Sequence, residues 1–296
     1  MKIHVVETIK FDEKQRRRLR KLGEVKYFEG LPSVEELLER MEGADVVCAD
    51  WAPIDMAIPK MNPGVKLISL PLTGIGFLTL KEAAAKGIRI ANAPDFGTES
   101  VGEFGLGLMI SIMRGIQNYG SGQPEISLAP SLYRKRILIL GQGRIGSYVG
   151  RVSKALGMKV SFWKRGDNLA AMLPEADVVY CALPLSESTK GLIGQAEFEM
   201  MKMGSYFVTT SHNQIYSHDS LLKALNVNLA GAAIDLEGIN TGDYKNEIYQ
   251  KFKVNPKILV TPHVAWKSDY SVKKSHDTVI DNIQSFIEGS PKNVVN

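Results

Sequence analysis

Short apolar runs alternate with stretches in which apolar residues recur every third or fourth position, from one end of the chain to the other. Continuous runs read as strands covered on both faces, and the wider spacing reads as helices lying on a sheet. The pattern predicts a strand over 2–7, a helix over about 12–21, a strand near 24–28 and a helix opening at Ser33. There Ser33 and Glu36 form a capping box ahead of Val34, Leu37, Leu38 and Met41. Ala44-Asp45-Val46-Val47 reads as the next strand, and Ala176-Asp177-Val178-Val179 repeats those letters inside a second strand-and-helix series. Strand and helix in strict alternation imply parallel sheets wrapped by helices, hence two doubly wound α/β units. The division falls near Ser100, where a long helix over 101–113 leaves the first unit, and 120–130 reads as a loop. A last helix carries Val279, Ile280, Ile283, Phe286 and Ile287 and stops at Gly289, with Pro291 beyond. Its pattern leaves open which unit it joins.

Composition narrows the class. A chain of 296 residues, 44% apolar and 23% charged, can bury two sizeable cores. Cys48 and Cys181 both sit in strand-like apolar runs, which predicts buried thiols, no disulfide framework and no metal spacing. A reducing, cytoplasmic setting is expected. Met1 to Val6 reads as a strand instead of a signal peptide, and the apolar stretch Phe104 to Met113 is too short to span a bilayer. The net charge of +4 is mild, and the basic run Lys14 to Lys21 reads as the solvated side of a helix with Leu19 and Leu22 turned inward. Neither a nucleic acid nor a membrane is expected as a partner.

The most informative segment is Gly141-Gln142-Gly143-Arg144-Ile145-Gly146. It follows the apolar run Ile137 to Leu140 and opens a helix running to about Leu156, with Gly157 as its stop and Val160 to Trp163 as the next strand. In that setting the first glycine allows the tight turn, the second admits a pyrophosphate and the third lets helix pack on strand. Free N–H groups at the helix start face the phosphates. The residue after the second strand selects the cofactor, since an acid there would bond the ribose 2′-hydroxyl of NAD. This chain has Lys164-Arg165, which suits the extra phosphate of NADP, with NAD as the alternative.

Together with Thr261-Pro262-His263-Val264-Ala265-Trp266 and the ending Asn293 to Asn296, these segments resemble the D-isomer-specific 2-hydroxyacid dehydrogenases, in the glycerate dehydrogenase and hydroxypyruvate reductase branch. Ala84 to Pro94, Val101-Gly102-Glu103, Ala176 to Val179, Leu183-Pro184-Leu185 and Gly231 to Asp235 carry the similarity nearly end to end. The resemblance implies a flavodoxin-like substrate domain, 1–99 plus 268–296, a Rossmann cofactor domain over 100–267, a cleft between them, and a homodimer. It implies hydride transfer between NAD(P)H and a small 2-keto or 2-hydroxy acid such as glyoxylate, hydroxypyruvate or glycerate. His263 matches the proton donor, Arg144 and Ile145 flank the pyrophosphate, Leu183 and Pro184 lie near the adenosine, and Asp235 meets the nicotinamide carboxamide. Thr73, Gly74 and Ile75, within Leu72 to Gly76, match the loop whose amides hold the substrate carboxylate.

Two positions depart from that pattern. His212 stands where the family's arginine is expected, with Asn213 in place of the following glycine, and Gly238 stands at the orienting glutamate, with Glu237 one residue early. An imidazole lacks the permanently charged fork of arginine, whose loss costs on the order of 2–5 kcal/mol. Two expectations follow. Either the chain is an active reductase with His212 as a modified substrate contact and Glu237 standing in for the glutamate, or it binds the cofactor as a sensor or interaction protein with little catalysis left.

Overall fold

The computed structural model describes residues 1–61, 64–75, 78–120 and 128–296. The chain divides into two compact units, Met1–Phe96 with Asp269–Asn296, and Gly97–Ser268.

The first unit is a parallel sheet of β1 (Lys2–Val5), β2 (Glu24–Tyr27), β3 (Val46–Cys48), β4 (Leu67–Ser69) and β5 (Arg89–Ala91), in the order β2-β1-β3-β4-β5. Val46, Val47 and Cys48 have no exposed surface, as a strand covered on both faces requires. Each fully buried aliphatic side chain of this kind contributes about 1.5–3 kcal/mol. The Ser33–Glu36 capping box forms in both directions. Asp12 caps the helix Glu13–Leu22 in the same way through Gln15. Leu19 of that helix is buried, while Arg18 of the basic run pairs with Asp277 and Asp281 of the last helix. The last helix, Asp269–Ile287, belongs to this unit: Val279, Ile280 and Ile283 join its core and Ser69 donates to the Val279 carbonyl at 3.2 Å. The first strand ends at Val5, short of the expected 7. Glu7 is instead turned inward, where its carboxylate accepts the N–H groups of Asp50, Trp51 and Ala52 at 2.7, 3.0 and 2.8 Å.

The second unit holds β6 (Arg136–Leu140), β7 (Lys159–Trp163), β8 (Val178–Cys181), β9 (Ser205–Thr209), β10 (Leu229–Asp235) and β11 (Ile258–Thr261). All are parallel, in the order β11-β10-β9-β8-β6-β7. The two sheets therefore share one winding, with an extra strand here. β7 is a sheet edge, and the segment 164–177 that follows it forms only the short helices Leu169–Met172 and Leu173–Glu175. Because the strands are parallel, Leu140, Trp163, Cys181, Thr209, Asp235 and Thr261 all end on one edge, and the order reverses between β6 and β8. That is where doubly wound sheets take their ligands. The expected doubly wound α/β architecture is thus present in each unit. Of the expected loop over 120–130, Ser121 to Ser127 lie outside the described residues, and Gly120 closes the helix Ile116–Gly120. Cys48 and Cys181 are buried free thiols. Among the described residues no helix is long and apolar enough to cross a membrane.

Candidate active site at the carboxyl edge of the second sheet

The turn after β6 is built as its glycines demand. Gly141 has φ +98°, and a Cβ there would lie 2.8 Å from the Ala182 carbonyl oxygen and 3.0 Å from the Leu183 side chain. A Cβ on Gly146 would lie 2.2 Å from the Gly141 carbonyl oxygen, so helix Arg144–Ala155 can seat on the turn only with glycine there. A Cβ on Gly143 would meet nothing within 4 Å. Two of the glycines are thus required by the protein's own packing, and the middle one leaves open space at a helix start. Arg144 is the first residue of that helix and is exposed, while Ile145 packs against the sheet core. The cradle fits a dinucleotide's pyrophosphate.

Lys164 and Arg165 follow β7 and are exposed. The Lys164 N–H donates to the Asp167 carboxylate at 2.7 Å, and Arg165 Nη2 donates to Ser188 Oγ at 2.6 Å. Ser188 lies in the loop after β8, where Thr189 Oγ1 donates to the Pro184 carbonyl at 2.7 Å. The Leu183 N–H donates to Ser211 Oγ at 3.0 Å, and that hydroxyl donates to the Cys181 carbonyl at 3.1 Å. Leu183 thereby touches the glycine turn on one side and the residue before His212 on the other.

The loops after β9, β10 and β11 bring His212, Glu237, Gly238 and His263 together. His212 and Glu237 are joined by a parallel bridge, and the Asn213 N–H donates to the Glu237 carbonyl at 3.0 Å. Gly238 has φ +95°, and a Cβ on it would lie 2.7 Å from both Cε1 and Nε2 of His212. The two departures seen in the sequence are therefore one packing arrangement: the imidazole at 212 occupies the space a side chain at 238 would need. Asn213 is buried in the same loop, its side-chain nitrogen 3.0 Å from that Cβ position.

His263 adopts φ +54°, a left-handed conformation that histidine enters more readily than most residues. Asp235 holds it there. Its buried carboxylate accepts the Val264 and Ala265 N–H groups, each at 2.9 Å, and the Thr261 hydroxyl at 2.6 Å. The expected nicotinamide contact thus has a carboxylate already gripping the loop that carries His263. His263 Nδ1 lies 2.9 Å from the Ile239 carbonyl oxygen. A carbonyl only accepts, so Nδ1 carries a proton and Nε2 is the atom left to exchange one. At Nδ1 the acceptor is thus the Ile239 carbonyl, while Glu237 attracts His263 electrostatically. Its carboxyl is pushed above the ordinary range by burial, partly offset by attraction to His263 and reinforced by Asp235. His212 is held below the ordinary histidine range by burial and by His263. Its Nδ1 accepts the Gln214 N–H at 3.2 Å.

Thr73, Gly74 and Ile75 lie in the first unit, after β4. Thr73 Oγ1 donates to the Ala93 carbonyl at 3.0 Å, its own carbonyl accepts from Asn92, and Ile75 is buried. Gly76 lies outside the described residues. Among the described residues no group of three or more His, Cys, Asp or Glu side chains is placed to hold a metal ion. Three participants gave no signal in the sequence: the Ile239 carbonyl, the Ser211 hydroxyl and the Ser188 hydroxyl. Any residue supplies a carbonyl, and a lone serine in a loop is ordinary.

Comparison with known proteins adds the following. Residues 106–265 match the family model described as D-isomer specific 2-hydroxyacid dehydrogenase, NAD binding domain. The chain is 28% identical over 309 aligned positions to the hydroxypyruvate reductase of Blautia hydrogenotrophica, covering 94% of each chain. It is 29% identical over 294 positions to the glycerate dehydrogenase of Methylorubrum extorquens, covering 92% of each. A solved structure of a Thermus thermophilus protein superposes with a TM-score of 0.82 at 27% identity, covering 100% of both chains.

Proposed function

This chain belongs to the D-isomer specific 2-hydroxyacid dehydrogenase family, and on that premise we propose that it reduces a small 2-keto acid or related carbonyl compound with a nicotinamide cofactor. Glyoxylate, hydroxypyruvate and the glycerate formed from it are the compounds its relatives' names suggest. The observation that carries the reading is His263, fixed by Asp235 and Ile239 with Nδ1 engaged, on the same sheet edge as the glycine turn. The cofactor supplies the hydride when bound. Gly141, Gly143, Arg144, Ile145 and Gly146 hold its pyrophosphate, Leu183 and Pro184 border its adenosine, and Asp235 lies toward the carboxamide. His263 Nε2 supplies the proton for the nascent alkoxide. Thr73, Gly74 and Ile75 offer backbone amides to the substrate. Lys164 and Arg165 favour NADP over NAD, since two cations and no acid follow β7 directly. A homodimer in a reducing, cytoplasmic setting completes the proposal, the latter supported by two buried free thiols.

The test is NADPH oxidation followed by absorbance with a panel of 2-keto acids. Turnover that vanishes in His263→Gln supports the reading, and cofactor binding without turnover on any compound overturns it. One observation favours a second reading, a cofactor-binding protein with little catalysis: the arginine position holds an imidazole whose protonation is resisted by burial and by His263. Binding of NADPH with no oxidation would be its signature.

A further inference from the structure

Resting on that reading, we propose that His212 contributes a fixed, neutral Nε2–H donor to the substrate. The site is thereby matched to 2-oxo compounds whose neighbouring group is uncharged, such as an amide, ester or aldehyde, at least as well as to the 2-keto acids themselves.

The tautomer follows from the hydrogen bond. The Gln214 backbone N–H can only donate, so His212 Nδ1, which accepts it at 3.2 Å, carries no proton in the neutral ring and Nε2 does. His263 is set the opposite way, because its Nδ1 meets a carbonyl at 2.9 Å. The two imidazoles therefore divide the work: Nε2 of His212 is a donor in the neutral ring, while Nε2 of His263 carries or releases the mobile proton. Burial and the neighbouring His263 both resist protonation of His212.

The ring is also fixed in place. Its Cε1–Nε2 edge lies where a side chain at 238 would sit, and only a residue without Cβ leaves that space. The bridge between His212 and Glu237 and the Asn213-to-Glu237 hydrogen bond hold the two loops in register. A preorganised neutral donor of this kind can polarise a carbonyl oxygen without carrying charge, as neutral imidazoles do elsewhere.

The charge balance then sets the preference. An arginine here would offer a substrate carboxylate a positive fork, whereas His212 offers one neutral N–H. Glu237, just past the end of β10 and bridged to His212, would repel an anion whenever it is ionised. An amide or aldehyde oxygen takes the same hydrogen bond with no such penalty.

Two measurements test this. Long-range proton–nitrogen correlation spectra of the histidine-labelled protein, which has 5 histidines, read the ring protons directly, with His212→Gln assigning the signal. An unprotonated Nδ1 and protonated Nε2 at 212 are expected, and a protonated Nδ1 overturns the proposal. Kinetics with pyruvate and its carboxamide, at saturating NADPH, read the preference. The carboxamide is expected within about 10-fold of the acid or above it, whereas loss of an arginine-type charge contact alone separates such pairs by about 30-fold or more in an arginine-bearing site. His212→Gln, which keeps a neutral N–H, should stay within about 10-fold, and His212→Leu should lose about 100-fold on both substrates. An acid preferred by about 30-fold or more, or a His212→Leu protein equal to the parent, contradicts the proposal. No turnover of either compound by the parent protein, with NADPH bound, overturns the reductase reading and the substrate preference with it. The ring-proton result then shows separately whether the tautomer was assigned correctly.

Discussion

The glycine turn after β6 and the loops after β9 and β10 stand on the same sheet edge, yet they are crowded in different ways. In the turn, Gly141 and Gly146 are hemmed in by backbone, 2.8 and 2.2 Å from carbonyl oxygens, so almost any replacement must move the main chain. In the loops, the crowding at Gly238 comes from a side chain, the His212 ring. A contact between two side-chain positions can be exchanged as a pair, and a contact with backbone cannot. The glycine turn is accordingly locked by main chain, while His212 and Gly238 form a mutually fitted pair of positions. An exchange at 212 and 238 therefore leaves the glycine turn untouched.

The largest expected effect separates chemistry from binding. His263→Gln should lower kcat by about 1,000-fold, within the range for a lost general acid, and leave NADPH affinity unchanged. Steady-state kinetics beside a cofactor titration reads both, and an equal loss in each would mean that the loop had collapsed. Next, Gly238→Ala should cost about 2 kcal/mol of stability, from its left-handed φ and the clash with His212. Urea melts of the double variant with His212→Ala should recover about 1 kcal/mol of that cost, as expected for residues in contact. Strict additivity would break the claim that the two positions are one arrangement.

Smaller effects sharpen the picture. Arg165→Ala should lower the NADPH-to-NADH affinity ratio by about 10-fold, the size of one charged hydrogen-bonded contact. An unchanged ratio would assign Arg165 to the surface alone. The smallest effect concerns Glu237, whose acid is harder to ionise folded than unfolded. Its contribution to stability is full below about pH 4.5 and is lost as pH rises through its raised folded value. Glu237→Gln should therefore gain stability relative to the parent toward neutral pH and not below that point. A gain confined to acid would show that attraction to His263 outweighs burial.

Much of the fold was legible because it rests on local signals. The capping box at Ser33, the helix stops at Gly157 and Gly289, and the runs Ile137 to Leu140 and Val178 to Val179 each act within a few residues of themselves. The last helix was legible as a helix but not as part of the first unit, since that depends on Ser69 and the apolar neighbours it meets far away in sequence. In the site, His212, Gly238 and His263 were recognisable by position. What was hidden is how they fit: Gly238 makes room for a ring 26 positions earlier in the chain. The acceptor for His263 is a main-chain oxygen, which leaves no trace in residue identity. Glu237 appeared able to replace the missing glutamate by a small shift. In the structure the Ile239 carbonyl, just past the turn at Gly238, meets His263 Nδ1, and Glu237 adds an electrostatic attraction to His263.

A nicotinamide dinucleotide is proposed at the turn over 141–146, beside this edge. Calorimetric titration of the parent protein and of Gly143→Asp with NADPH tests this, because a Cβ at 143 meets nothing within 4 Å and φ there is ordinary. One binding site is expected in the parent and its loss in the variant at unchanged melting temperature, the new carboxylate lying where a pyrophosphate would. Equal binding by both proteins, or none by the parent, would contradict it.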